Sequence, residues 1–484
     1  MKIYILNPPY MPHFGRGMRW QDTGRGGTLY YPIWLSYAAA TLDHYHEIKL
    51  VDAPARDWEK KDVLKDIKQF KPKLIVMDSS FPSLNNDISV AKYIKENYND
   101  TVKIALVGPT GSQFAEKILE NESIDIVTRF EYDFTLKELS EKLENGEDFK
   151  KIAGISYKDK GVVINNPNRN LSSSQDLDTI PFVSKIYEKF LNIDDYFLGS
   201  SLSPEVQIFT GRGCPFQCTF CSWPQTLMGR KYRVRAVSSV LDELEWIEKN
   251  LPNVKEVFFE DDTFTIDKKR VLEFCREYKN RGLKITWACN ARVGLDYETM
   301  VNMKKTNCRL LIVGFESGNQ FILDNIKKDI SVKGIKQFAH DCKKAGLLLH
   351  GDFIIGLPGE TRETIENTKK IIKETKADIL QVSVASPFPG TEFYEWCKKN
   401  DYLLTDDPNE YLDDKGHQKA IVSYNEISNE EINQIVNNIL REYYISINYV
   451  PIALKQVLRK NGISELRRLL YSARMSWGYL GGKK

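Results

Sequence analysis

The chain has 484 residues, too many for one ordinary hydrophobic core, so two to four domains are expected. Its 68 basic and 66 acidic residues leave a net charge of only +2, which gives no electrostatic case for a nucleic-acid partner. No apolar run approaches the roughly 18 residues of a membrane span, and MKIYILNPPY lacks a cleavage site and reads as a first β-strand, so a cytoplasmic protein is expected.

Residues 1–145 alternate short apolar, β-rich runs with stretches of helical periodicity. The runs are 2–7, 47–53, 73–79, 103–108 and 124–129. Such an alternation predicts a parallel sheet covered on both faces, a doubly wound Rossmann-like α/β domain whose ligands bind at the carboxyl ends of the strands. The loops so placed are NPPYMPHFGRG, DAPARD, DSSFPS, GPTGS and RFEYD, and no GxGxxG follows the first strand, which disfavours a dinucleotide site.

Segment 146–204 reads as a hairpin over 155–164, turning at Asp159 to Gly161, and a polar linker over 166–184. A second series follows over 205–410, with strands at 206–213, 256–262, 284–291, 309–317, 349–357 and 378–387. Six βα units without a reversed strand predict a partial (βα)6 barrel of the TIM type, with its active site at the carboxyl mouth. From 411 to 484 the chain ends in a helical region. There Leu454, Val457, Leu458, Leu466, Leu469 and Leu470 alternate with Lys455, Arg459, Arg467 and Arg468. A packed terminal helix with a solvated basic face is the plain reading. A basic amphipathic helix on the inner face of a membrane is the alternative.

Three of the eight cysteines, Cys214, Cys218 and Cys221, sit in GRGCPFQCTFCSW, directly after the first barrel strand. No fourth Cys or His lies near, which argues against a closed zinc site. Soft thiolates also suit iron–sulfur, and three ligands on a four-iron cube leave one iron open for chemistry. Cys275, Cys289, Cys308, Cys342 and Cys397 are scattered in apolar elements and read as buried thiols.

CPFQCTFC resembles the CxxxCxxC motif of the radical S-adenosylmethionine (SAM) enzymes, with Phe220 as the aromatic before the last cysteine. The resemblance implies a [4Fe–4S] cluster on the three cysteines that chelates and reductively cleaves SAM, fed by a one-electron reductant such as flavodoxin or ferredoxin. Later strand ends match the family in order. FFEDD places Glu260 near the SAM amino group, GFESG gives Glu316 and Ser317 at the ribose, and GDFIIGLPGET gives Ile354 and Gly356 at the adenine. SPFPGT closes the series. Arg233 and Arg235 are read either as partners of the SAM carboxylate or as solvated or helix-capping residues.

A doubly wound domain ahead of such a barrel resembles the cobalamin-dependent, B12-binding subgroup, with LNPPY and DLDTIP as supporting stretches. The resemblance implies a corrinoid between the domains, with Pro8, Pro9, Asp52, Ser79, Gly108, Thr110 and Glu131 as its contacts. The chain departs from the subgroup in lacking DxHxxG, so His13, His44 and His46 are poor cobalt ligands, and in having GPTG where a Gly-Gly pair and a histidine are common. NPPYMPHFGRGMRWQ, YYPIWLSYAA and VDAPARD resemble radical SAM proteins of hopanoid and other lipid biosynthesis and the anaerobic magnesium-protoporphyrin ester cyclase group. Arg16, Arg19 and Arg25 are read there as a site for an anionic substrate group or as a basic loop. The expected activity is anaerobic functionalisation of an unactivated carbon of a small molecule or lipid, foremost by methylation. The alternatives are radical cyclisation, ring contraction or rearrangement and, in a different class, a non-catalytic corrinoid or metal-binding sensor or carrier.

Overall fold

The computed structural model describes residues 1–480 apart from Met18, Trp20 and Lys460; the side chains of 477–480 are also outside the description. Met18 and Trp20 of the NPPYMPHFGRGMRWQ stretch and the last four residues of the expected terminal helix therefore lie outside the described residues.

The first sheet holds β1 (Lys2–Asn7), β2 (Glu47–Asp52), β3 (Leu74–Asp78), β4 (Lys103–Val107) and β5 (Ile126–Thr128). They pair in parallel in the order 2-1-3-4-5, a doubly wound topology whose switch point lies between β1 and β3. Tyr4, Leu6, Ile75, Met77, Ile104 and Leu106 pack one face against the helices Lys60–Phe70, Leu84–Asn97 and Gly111–Leu119. Ile3, Ile5, Val76 and Ala105 face the other way, into a core continuous with the barrel. The helix between these bodies, Ile33–Asp43, reads IWLSYAAATLD and has every residue from Ile33 to Leu42 buried. A helix that is apolar all round has no face to offer water, so it serves as the shared wall.

The hairpin forms as β6 (Ile155–Asp159) and β7 (Val162–Asn165), turning through Lys160 and Gly161, both at positive φ. It joins the first sheet antiparallel to β5. The polar stretch read as linker contains the helix Ser174–Thr179 and the start of another, Val183–Phe190.

The second sheet is wholly parallel: β8 (Glu205–Ile208), β11 (Glu256–Phe259), β12 (Thr286–Ala291), β13 (Cys308–Glu316), β14 (Leu348–Ile355) and β15 (Ile379–Val384), in that spatial order. Between β8 and β11 the short strands β9 (Gly211–Arg212) and β10 (Arg233–Val234) pair antiparallel. β8 and β15 are not paired with each other, so the barrel is an open arc.

Tyrosines close its two edges. Tyr31, Tyr37 and Tyr187 direct their hydroxyls to the carbonyls of Glu205, Phe209 and Gln207 on the β8 side. On the other side Tyr444 donates to Leu380 O at 2.7 Å and accepts from Leu380 N at 2.8 Å. Edge groups that would otherwise lack partners are thus satisfied without a further strand.

The C-terminal region holds the helices Asn429–Tyr444, Val450–Val457 and Gly462–Leu480. Here the structure departs in part from the expected helical faces: Lys455 and Arg467 are exposed as expected, and Val457 and Leu469 are half-buried. Leu454, Leu458, Leu466 and Leu470 are exposed, whereas Gln456, Glu465 and Arg468 are buried. Arg468 is not part of a solvated basic face. It bonds Glu465, which also receives Arg309 of β13, and Arg309 in turn bonds Glu256 of β11. The last two helices are anchored by a buried polar network, with Leu454, Leu458, Leu466 and Leu470 exposed and Leu469 turned to the cavity.

Candidate functional site

The cysteine loop projects from the barrel mouth and is clasped at its base by β9 and β10. Gly213 has φ +91°, and a Cβ there would meet Lys231 O at 2.2 Å, so only glycine allows this closure. Within the loop Cys214 N–H donates to Gly229 O, Thr219 N–H to Ile326 O, and Gln225 Nε2 to Cys221 O. Arg292 stacks its guanidinium 3.5 Å from the ring centre of Phe216.

The clasp is pinned to the first domain. Arg233 makes a two-pronged pair with Glu131 at 2.8 and 2.9 Å, and Arg212 bonds Asp133 at 2.7 Å, all nearly without solvent contact. Arg235 pairs with Glu243 at 2.6 Å. Arg233 and Arg235 are therefore neither solvated nor directed at a ligand, and Glu131 is spent on Arg233. Asp52 is likewise engaged by Asn7 and Tyr196.

All three cysteines line one cavity of about 550 Å³ with Phe220, Glu316 and Ile354. Among the described residues no three His, Cys, Asp or Glu side chains converge on a point where a single ion would sit. A cube offers each thiolate its own iron corner, so ligands that stand apart around one cavity fit a cluster better than an ion. Burial pushes the Cys214 thiol up to about 11 and holds Cys221 well above the usual thiol range, so both are protonated until a metal takes the proton's place.

Glu316 sits at φ +63° and bonds Lys328 Nζ at 2.6 Å. Its side chain folds back over Gly314, where a Cβ would lie 2.2 Å from Oε1. Ser317 Oγ lies 3.2 Å from Thr368 Oγ1, and Gly356 N–H donates to Glu360; neither residue lines the cavity. Glu260 is fully buried and bonds Arg19, which does line it. Arg19 crosses from the first domain, donates also to Glu260 O at 3.1 Å and Asp262 Oδ1 at 3.3 Å, and stacks on Trp223. Burial raises the Glu260 carboxyl to about 7 against the pull of Arg19, and Glu260 Oε2 and Asp262 Oδ2 have no hydrogen-bond partner. Asp262 lines the cavity with the cysteines, and an unsatisfied carboxylate oxygen there suits the amino group of a bound amino acid.

At the strand ends of the first domain Arg16 is locked by Asp87 at 2.6 Å and donates to Pro8 O, while Asn86 donates to Pro9 O. Arg16 is thus structural, whereas Arg19 and Arg25 reach the cavity. Ser79 Oγ, Thr110 Oγ1, Thr128 Oγ1 and Tyr132 OH, at or just beyond the carboxyl ends of β3, β4 and β5, are buried without partners. These four idle hydroxyls stand at the end of the sheet where ligands of this fold bind, outside the 550 Å³ cavity, and Thr110 borders a small one of about 10 Å³. Gly108 adopts φ +106° beside them. His46 contacts the chain's amino terminus and Glu144, and His44 caps the helix Ile33–Asp43.

Sequence reasoning passed over Trp223, Asp262, Asn290, Arg292, Lys328, His350 and Asp352, all of which line the cavity. Asn290 and Arg292 end the third barrel strand, a position that the pattern of the other strand ends had marked. Lys328 and Trp223 carry no local signal.

Residues 208–372 match the model of the radical SAM superfamily, and residues 23–140 match that of the B12 binding domain. An uncharacterised methyltransferase of Pyrococcus horikoshii is 33% identical over 482 residues, covering 98% of this chain and 99% of the relative. The anaerobic magnesium-protoporphyrin IX monomethyl ester cyclase of Rubrivivax gelatinosus is 27% identical over 375 residues, 75% of this chain and 66% of that one. The radical SAM methyltransferase TsrM of Kitasatospora setae, solved with cobalamin and a [4Fe-4S] cluster, shares the fold at a TM-score of 0.71, with 14% identity and 99% coverage of both chains. The chain belongs to the radical SAM superfamily, in its B12-binding branch, and is an enzyme whose cofactors are a [4Fe–4S] cluster, SAM and cobalamin.

Proposed function

We propose that this enzyme methylates an unactivated carbon of a small-molecule or lipid substrate. The observation that carries the reading is one cavity bordered by the three cysteines, by Asp262, Glu316 and Ile354 of the barrel strand ends, and by Arg19 of the first domain. When bound, the cluster and SAM supply a radical able to remove hydrogen from an unactivated carbon, and cobalamin carries a methyl group.

The protein's own residues set the conditions. Cys214, Cys218 and Cys221 hold the cluster. Glu260 and Asp262 receive the SAM amino group, and Glu316, held by Lys328, receives the ribose hydroxyls. Phe220 and Ile354 give the adenosine apolar contact, while Ser317 and Gly356 fix the backbone around it. Pro8, Pro9, Ser79, Gly108 and Thr110 remain our assignments for cobalamin, whereas Asp52 and Glu131 act by holding Tyr196 and Arg233. We divide the chain at 1–145, 146–204, 205–410 and 411–484, with the hairpin of the second segment serving the first sheet.

The test is anaerobic purification from a cobalamin-supplied host, with iron, sulfide and corrinoid measured beside a Cys214→Ala, Cys218→Ala, Cys221→Ala variant. About four irons with one corrinoid, and loss of iron alone in the variant, support the reading. Iron without corrinoid sinks methyl transfer through cobalt. The ester cyclase among the relatives favours oxidative cyclisation as a second reading. Product mass after incubation with methyl-deuterated SAM and candidate substrates separates the two.

Among the described residues no helix is long and apolar enough to cross a membrane. The exposed row of Leu454, Leu458, Ile463, Leu466 and Leu470 supports a peripheral contact of the C-terminal helices with the inner membrane face of a cytoplasmic enzyme. Co-flotation with anionic vesicles checks it. A flavodoxin or ferredoxin is the expected electron donor.

A further inference from the structure

Below the SAM-facing layer the cavity continues into the barrel. The strand register orders its wall in steps of two residues. Ile354 stands beside Ser383, Asp352 stands between Gly314 and Gln381, and His350 stands between Ile312 and Ile379. His350 is thus four strand residues, about 13 Å, deeper than Ile354. Leu198, Ile312 and Ile379 around it belong to one apolar cluster.

His350 is the anomaly of this floor. It is 7% exposed, neither ring nitrogen has a hydrogen-bond partner, and Asp352 Oδ1 has none either. Nε2 and Oδ1 are 3.1 Å apart but out of line for a hydrogen bond. A buried polar pair left idle in an apolar setting is costly, and such groups are kept where a ligand completes them. Of the cations on the same cavity, Arg19, Lys328 and Arg468 are paired with Glu260, Glu316 and Glu465, while Arg292 donates to Lys328 O and Arg25 to Asn437 Oδ1. The floor therefore suits a neutral hydrogen-bonding group better than an anion.

We propose that His350 and Asp352 bind the hydroxyl or carbonyl group of an otherwise apolar substrate whose hydrocarbon body lies on Leu198, Ile312 and Ile379. This rests on the reading above that the cavity is where substrate is functionalised. Geraniol and myrcene, ten-carbon probes of similar shape differing chiefly in a hydroxyl, test it by headspace gas chromatography over the anaerobic holoenzyme.

Wild type should bind geraniol about tenfold more tightly than myrcene, the ratio expected for one well-made hydrogen bond. His350→Phe should bring the two within about twofold, and His350→Asn, which keeps a donor and an acceptor, should retain part of the preference. Equal binding in wild type, an undiminished preference in His350→Phe, or no binding of either probe overturns the proposal. SAM cleavage by the same wild-type preparation reports separately on the proposed function. Its absence beside a clear geraniol preference would sink the enzymatic reading and leave the subsite standing, and the reverse result would sink the subsite alone.

Discussion

Replacing Glu131 by Gln removes one charge from the pin between the cysteine loop and the first domain without changing its shape. Arg233 would keep its bonds to Ser172 O at 2.7 Å and Met228 O at 2.6 Å but lose the carboxylate that balances it. At a separation of 2.8 Å the gross attraction is about 6 kcal/mol at an effective dielectric of 20. Breaking a buried pair from one side costs about 3–5 kcal/mol, and the remaining amide oxygen puts the expected loss near the lower end, about 3 kcal/mol. The assay is the urea midpoint of the apo protein, followed by limited proteolysis across 213–232 and iron retention after reconstitution. The double variant Glu131→Leu, Arg233→Met leaves no uncompensated charge and should recover at least half the loss. A single variant as stable as wild type, or a double variant no better than the single, would refute the claim that this pair holds the loop.

Gly314→Ala should force Glu316 away from Lys328, because the new methyl group would stand 2.2 Å from Glu316 Oε1. Overpacking of this kind costs about 1–3 kcal/mol, and SAM affinity by equilibrium dialysis should fall with it. Glu205 is buried with its carboxyl raised to about 8, so the folded state keeps a proton that the unfolded chain has released. Its contribution is complete below about pH 4.5 and is lost as pH rises towards 8, so Glu205→Gln should flatten the decline in stability across that window in pH-dependent urea titrations. Glu465→Gln leaves Arg309 and Arg468 facing a neutral side chain and should loosen the C-terminal helices by about 3 kcal/mol, seen as faster hydrogen exchange over 462–476 before the barrel unfolds.

The alternation of apolar runs and helical stretches was enough to identify the parallel strands of both sheets, though not that the hairpin joins the first, because a strand buried on two faces must be apolar throughout and a crossover helix must follow it. The cysteine loop was equally legible, since Cys214, Cys218 and Cys221 lie within eight residues of one another, and all three line one cavity. Glu316 and Ile354 were placed by the same logic at strand ends. What the sequence could not disclose was pairing across long separations. Glu131 was expected among the cobalamin contacts, but its carboxylate is taken by Arg233, 102 residues on. Arg19 reaches Glu260 across 241 residues, and Arg309 reaches Glu465 across 156. The terminal helix shows the limit most plainly. Periodicity alone assigned Leu466, Leu469 and Leu470 to the core, and only the tertiary structure, by offering Glu465 and Arg468 a buried network with Arg309 and Glu256, turned that face inward, left Leu466 and Leu470 to solvent and kept Leu469 at the cavity. Local pattern determines which elements form; which side of an amphipathic element is buried depends on what the rest of the chain places beside it.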